Sequence, residues 1–103
     1  MKVYPKKSLG QNFLNDRNVL EQITNVTVIK DRTILEIGPG TGNLTSFILK
    51  NNPKKVFVIE KDNDLAEKLN VKFGEQLNII NDDILNINEN FLFDEKVTVF
   101  GNL

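Results

Sequence analysis

Short β-rich runs alternate along this chain with segments of helical periodicity, and this alternation limits the fold more than any other feature. The β-rich runs cover residues 33–37, 55–60, 77–81 and 96–100. Apolar residues recur at helical spacing after the first two runs, which predicts helices over residues 43–51 and 62–73, with Gly74 just past the second. Parallel strands need a crossover connection, which is usually a helix. The sequence therefore predicts an α/β fold with a mostly parallel sheet and flanking helices.

Composition limits the chemistry available to the chain. Its 103 residues fit at most one small domain, and 40% apolar with 26% charged residues is the balance of an ordinary globular protein. Cysteine and histidine are absent, which removes thiolate sites, the commonest metal ligand and the usual general base. No apolar run approaches the roughly 20 residues of a membrane helix, and the start lacks a secretory pattern. We expect a cytoplasmic protein with no metal, whose chemistry uses carboxylates, amides, backbone groups or a cofactor.

Charge is unevenly distributed although the net charge is only −1. Residues 1–30 carry five basic and two acidic side chains, whereas residues 31–103 carry eight basic and twelve acidic side chains. This basic N-terminal segment, with Lys2, Lys6 and Lys7, is suited to an RNA phosphate backbone, although an ordinary solvated terminus explains it equally well. An amphipathic helix capped by Asn15 is predicted within it, over residues 16–26.

A glycine cluster stands between the first β-rich run and the first predicted helix. Gly38, Gly40 and Gly42 allow a tight turn and let a ligand approach the backbone closely. Open α/β sheets bind ligands beyond the carboxyl ends of their strands, so a nucleotide-type cofactor is predicted there. The spacing G-x-G-x-G departs from the G-x-G-x-x-G of dinucleotide enzymes, which favours a cofactor without phosphates. A purely structural turn is the alternative.

Two acidic residues follow later strands at the same predicted edge. Glu60 ends the second β-rich run, in the position from which a carboxylate accepts hydrogen bonds from both ribose hydroxyls. Its alternative role is a solvated acid paired with Lys61. Asp83 follows the third run and is placed to accept from an adenine amino group, although on its own it also suits a turn or helix cap.

Five segments of the chain, in order, match a known pattern. They are KKSLGQNFLND at 6–16, EIGPGTGNLT at 36–45, VIEKD at 58–62, NDDIL at 81–85 and FGNL at 100–103. With them the chain resembles the ribosomal RNA adenine N6-dimethyltransferase family, the KsgA and Erm group. EIGPGTG and FGNL are more similar to the KsgA branch, which modifies small-subunit RNA. The resemblance implies a Rossmann-like class I S-adenosylmethionine-dependent methyltransferase fold.

The same resemblance implies a cofactor site for S-adenosylmethionine. The residues it assigns to that site are Asn12, Leu14, Gly38, Gly40, Glu60, Asp83, Ile84 and Asn102. Asn12 and Leu14 would contact the methionine end, while Ile84 would pack on the adenine ring. Each also has an ordinary alternative: Asn12 as a cap, Asn102 as a turn residue, and the two apolar residues as core.

The implied reaction is dimethylation of the N6 amino groups of adjacent adenines near the 3′ end of 16S ribosomal RNA, in immature small subunits. FGNL resembles the start of the family's N-L-P-Y motif, so Asn102 and Leu103 would hold the amino group through a side-chain amide and a backbone carbonyl. The Pro-Tyr that follows in the family, the later strands and the helical RNA-binding domain lie outside this sequence. We expect an incomplete methyltransferase domain over residues 31–103, inactive alone and with one sheet face or edge uncovered. The basic N-terminal extension over residues 1–30 is expected to contribute a helix that covers the cofactor site.

Two other functions remain open from the sequence. One is a noncatalytic RNA-binding or ribosome assembly factor built on a methyltransferase fold. The other is part of a nicotinamide-dependent oxidoreductase that uses the same glycine cluster, although the G-x-G-x-G spacing and the Gln-Asn-Phe-Leu segment speak against it.

Overall fold

In the part of the chain that the structure describes, five parallel strands form a single sheet in the order β1-β5-β2-β3-β4. The computed structural model describes residues 29–87 and 97–101, together with the backbone of residues 2–5. The strands are β1 (Lys2–Pro5), β2 (Thr33–Ile37), β3 (Lys55–Ile59), β4 (Asn78–Ile80) and β5 (Val97–Gly101). Helices α1 (Asn43–Lys50) and α2 (Asn63–Phe73) and two 3-10 turns (Gly74–Gln76 and Ile84–Asn86) connect them. The predicted parallel α/β fold is confirmed.

The four predicted strands are all present, with ends that differ by one residue at most. β1 was not predicted; it pairs in parallel with β5, with Val3 opposite Val99. Because β2 pairs with β5 on the other side, β5 lies inside the sheet, and β1 and β4 are the edge strands of the described part. The helix predicted over residues 16–26 lies outside the described residues.

Apolar side chains cover both faces of the sheet. Successive residues of a strand point to opposite faces, and Ile34 and Leu35 of β2 accordingly belong to different core clusters. The cluster around Ile34 includes Leu44 and Ile48 of α1, which bury the apolar stripe of that helix. The cluster on the other face is covered in part by residues that follow β4. Burial on both faces is the normal state of a parallel sheet, and it explains the nearly continuous apolar pattern of β3.

The ends of α2 follow standard capping chemistry. The Asp62 side chain accepts a hydrogen bond of 3.0 Å from the Leu65 amide, so Asp62 caps the helix rather than lying in its first turn, and Asp64 lies in that turn. Gly74 (φ 57°) ends the helix, as predicted. In contrast, the residue that precedes α1 is Gly42, which offers no side-chain cap, so the glycine cluster leads directly into the helix.

The parallel arrangement gathers the carboxyl ends of the strands at one edge of the sheet. Residues 38–42 follow β2, residues 60–62 follow β3, and residues 81–83 follow β4. All three connections therefore meet where ligands bind in open α/β folds. None of the described helices is long and apolar enough to cross a membrane.

Candidate cofactor site

The glycine loop, residues 38–42, has a left-handed backbone at every second position. Gly38, Gly40 and Gly42 have φ values of 66°, 61° and 89°, which side-chain-bearing residues rarely adopt. The Gly38 amide donates to the Ile59 carbonyl oxygen at 2.9 Å, and the Gly42 amide donates to that of Pro39 at 3.1 Å. The first of these hydrogen bonds holds the loop against the end of β3, and the second closes a turn within the loop.

The glycines of the loop differ in what surrounds them. A Cβ atom added to Gly42 would lie 2.7 Å from Phe73 Cε2 and 3.2 Å from Leu69 Cδ2, so the packing of α2 requires glycine there. A Cβ added to Gly38 or Gly40 would meet nothing within 4 Å. No packing within the described part of the chain explains those two glycines. Open space beside a bare backbone is what a closely approaching ligand needs.

Glu60 connects the glycine loop to the two neighbouring strand ends. Its side chain is 6% exposed; Oε1 accepts from the Gly40 amide at 3.2 Å and Oε2 from the Asp62 amide at 3.1 Å. Among the described residues these amides are its side-chain partners, so the alternative ion pair with Lys61 is not formed. A carboxylate oxygen has two lone pairs, so each oxygen keeps one position for a further donor such as a ribose hydroxyl.

The backbone of Glu60 is held as firmly as its side chain. The Glu60 amide donates to the Ile80 carbonyl oxygen at 3.0 Å, and the Asn81 side-chain amide donates to the Glu60 carbonyl oxygen at 2.9 Å. Asn81 was not singled out in the sequence. Its only sequence signal is its position at the end of a β-rich run, since its partner is set by the tertiary fold.

Asp83 caps the short turn after β4, which is the alternative role considered for it. Its Oδ1 accepts from the Leu85 amide at 2.9 Å, while Oδ2 has no partner within residues 29–87. Asp82 Oδ1 accepts from the Asn86 side chain at 3.0 Å and from the Asp83 amide at 2.7 Å. The Asn86 side chain, and secondly the Asp83 amide, lower the pKa of Asp82, so it is ionised at neutral pH. The Ile84 side chain is half-buried against the core cluster that contains Leu35.

The structure thus brings Gly38, Gly40 and Glu60 together and places Asp83 at the adjacent strand end. Other residues assigned from the sequence lie outside the described residues: Asn12, Leu14, Asn102, Leu103, Lys6 and Lys7. Only the backbone of Lys2 is described, in β1.

The hydrogen-bond acceptors at this edge of the sheet suit an adenosine. Glu60 offers acceptors to neutral hydroxyl donors such as those of a ribose, as the acid at this strand end does in related α/β folds. The nearby cation Lys72 is directed to the Thr41 carbonyl oxygen at 3.5 Å, on an exposed side chain. Within the described residues, no three His, Cys, Asp or Glu side chains are grouped to hold a metal ion. S-adenosylmethionine meets these conditions.

The chain matches the family model described as "Ribosomal RNA adenine dimethylase" over residues 4–103. A curated relative, ribosomal RNA small subunit methyltransferase A of Pelagibacter ubique, is 58% identical over 103 residues, which is all of this chain and 39% of that protein. The protein of the same name from Sulfurihydrogenibium is 42% identical, covering 99% of this chain and 42% of that one. The chain therefore spans about two fifths of the length of these relatives.

Solved structures give the same assignment for the fold. The 23S rRNA methyltransferase ErmE superposes with a TM-score of 0.74 at 29% identity, covering 87% of this chain and 36% of that chain. A dimethyladenosine transferase from Plasmodium falciparum has a TM-score of 0.66 at 27% identity, covering 85% and 32%. The described part is therefore a portion of a Rossmann-like class I methyltransferase fold. With the family model matched over nearly the whole sequence, the chain belongs to the ribosomal RNA adenine dimethylase family.

Proposed function

We propose that this chain supplies the S-adenosylmethionine-binding part of a methyltransferase that dimethylates adjacent adenines near the 3′ end of 16S ribosomal RNA. The reaction belongs to ribosome biogenesis in the cytoplasm. One observation carries the proposal: the Glu60 carboxylate is hydrogen-bonded to the glycine loop at the carboxyl edge of the sheet and keeps acceptor positions for a ribose. Relatives named ribosomal RNA small subunit methyltransferase A support the choice of RNA.

The described residues support a consistent orientation of the cofactor. Glu60 accepts from the ribose hydroxyls, while the Cβ-free surface of Gly38 and Gly40 admits the methionine part close to the backbone. Asp83 Oδ2 accepts from the adenine amino group, one strand further along the sheet, and Ile84 packs on the ring. Asn12 and Leu14 contact the methionine end. S-adenosylmethionine supplies an electrophilic methyl group on its sulfonium.

The remaining chemistry is mainly positioning. Holding an acceptor nitrogen in line with the methyl group can contribute about 7–11 kcal/mol. Asn102 follows directly on Gly101, the last residue of β5, which pairs with Ile37 just before the glycine loop. We assign to the Asn102 side chain and the Leu103 carbonyl the task of accepting hydrogen bonds from the adenine amino group. The target base must leave its stack to reach them.

Titration calorimetry with S-adenosylmethionine and with NAD tests the cofactor assignment. We expect saturable heat with S-adenosylmethionine and none with NAD, because the G-x-G-x-G spacing at residues 38–42 departs from the G-x-G-x-x-G that dinucleotide sites use beside the pyrophosphate. The reverse result would support the nicotinamide-dependent alternative. S-adenosylhomocysteine serves as a second probe, because it keeps the adenosine contacts and lacks the methyl group.

Methyl transfer itself is expected to be weak or absent for the 103-residue chain, which spans about two fifths of its relatives. The measurement is transfer of a radiolabelled methyl group to immature small ribosomal subunits, with a full-length relative as the active control. Full turnover by this chain alone would contradict the expectation. A longer parent protein that bound subunits without transferring methyl groups would instead support the noncatalytic assembly factor.

RNA binding by the basic N-terminal segment should weaken as salt rises. We assign phosphate contacts to Lys2, Lys6 and Lys7, and each contact contributes about −0.7 to the slope of log affinity against log salt for single-stranded RNA. Replacing all three with glutamine should flatten the slope by about 2 units. The matched control removes the same charge from exposed lysines at the amino edge of the sheet, Lys30, Lys54 and Lys55. If the two triple variants showed the same slope of log affinity against log salt, the assigned phosphate contacts of the N-terminal lysines would be refuted.

A further inference from the structure

We propose that Glu36 and Thr45 act as a positioning pair that holds the glycine loop in its ligand-binding conformation. The ligand in this inference rests on the function proposed above, whereas the effect on the loop does not. Neither residue was assigned to the site from the sequence.

The pair closes the base of the glycine loop. Glu36 is the fourth residue of β2 and Thr45 the third residue of α1, so the loop lies between them in the chain. The Thr45 hydroxyl donates a hydrogen bond to Glu36 Oε1. This bond joins the end of β2 to the first turn of α1, so the ends of the glycine loop are held at a fixed separation.

Both side chains lie in the interior, each with a relative exposure of 0%. Neither side chain is therefore placed to touch a cofactor at the surface, and we assign their influence on binding to the loop between them. A buried carboxyl is costly unless donors surround it, whereas apolar residues would fill the same space without that cost. What the polar pair adds is a directional bond that fixes how strand and helix meet.

The loop needs such a restraint because of its composition. Three of its five residues are glycines, which have more backbone conformations to lose than other residues. Its Gly40 amide is also the donor to Glu60 Oε1, at 3.2 Å. A shift of the loop would therefore move the proposed ribose-binding carboxylate as well as the open backbone at Gly38.

Three variants of α1 separate positioning from general stability. Thr45→Val keeps the shape and removes the hydroxyl, and Thr45→Ser keeps the hydroxyl and removes the methyl group. Ile48→Val is the matched control. Ile48 is equally buried one turn further along α1, but its apolar side chain packs in the hydrophobic core around Ile34 and makes no hydrogen bond to Glu36. Two readouts are used: calorimetric affinity for S-adenosylmethionine, and amide hydrogen exchange of Gly40 and Gly42 relative to Val58 in the central strand β3.

Thr45→Val should raise exchange at Gly40 and Gly42 relative to Val58 by about tenfold and weaken S-adenosylmethionine binding by about tenfold, the usual effect of one lost buried hydrogen bond. Thr45→Ser and Ile48→Val should stay within about threefold of the wild type in both readouts. The inference is overturned if Thr45→Val behaves like Ile48→Val, or if the loop amides loosen while affinity is unchanged. A wild-type chain that binds no S-adenosylmethionine would refute the proposed function, and the amide exchange would still decide whether the pair orders the loop.

Discussion

Replacing Glu60 with glutamine should weaken S-adenosylmethionine binding by about a hundredfold, since hydrogen bonds to a charged group contribute about 1.5–3 kcal/mol each. The carboxylate accepts from the Gly40 and Asp62 amides and, in the proposed complex, from two ribose hydroxyls. A glutamine side chain has one acceptor oxygen and would turn its NH2 group toward one of these donors. Calorimetric titration measures the affinity, and urea unfolding separates it from any loss of stability.

The matched control for this substitution is Glu67→Gln. Glu67 lies on the exposed surface of α2, so the change removes the same charge away from the glycine loop. We expect an affinity within about threefold of the wild type for this control, because exposed charges contribute little. Glu60→Asp should give an intermediate affinity, since the charge is kept and the carboxylate is withdrawn by one methylene. Binding by Glu60→Gln at the strength of the control would rule out the ribose contact.

Gly42→Ala should lower the free energy of unfolding by about 2–4 kcal/mol, from backbone strain together with overpacking. The backbone has φ 89° at this position, and the new methyl group would lie 2.7 Å from the Phe73 ring. Urea denaturation followed by circular dichroism measures the loss. A second substitution, Phe73→Leu, should recover part of it, because the two residues share one contact and their effects are not additive.

Gly40→Ala is the control that isolates the ring contact. Gly40 has a similar φ of 61°, but an added methyl group would have no neighbour within 4 Å. Only the backbone cost of about 1–2 kcal/mol should remain, whereas affinity for the cofactor should fall because the methyl group occupies space that the ligand needs. Equal destabilisation by the two alanine variants would show that packing on Phe73 does not matter.

Local pattern was sufficient for most of the fold. β2 and β3 were predictable because strands buried on both faces leave continuous apolar runs, and α2 because Asp62 and Gly74 mark its ends. β1 was not predictable: its four residues, Lys-Val-Tyr-Pro, are too few to show a period, and its partner lies at the other end of the chain.

The candidate site was predictable only in outline. The parallel strands bring residues 38–42, 60 and 83 to one edge of the sheet. Their positions after successive β-rich runs were enough to predict this from the sequence. The partners of each group depend on the tertiary fold, so the sequence did not reveal that Glu60 accepts from Gly40, or that a buried threonine donates to Glu36. Nor did it distinguish Gly42, which α2 requires, from Gly38 and Gly40, which face open space.

The pairing of β1 with β5 has a consequence for the order of events during synthesis. Lys2 lies opposite Thr98, so β1 cannot pair with β5 until the segment around residue 98 has been made. At the usual rates of translation this interval is on the order of ten seconds. During that time β2, α1 and β3 can already assemble from contacts between near neighbours, because closing short loops costs less entropy than closing long ones. Among the described strands, β1 therefore joins the sheet after β2 and β3.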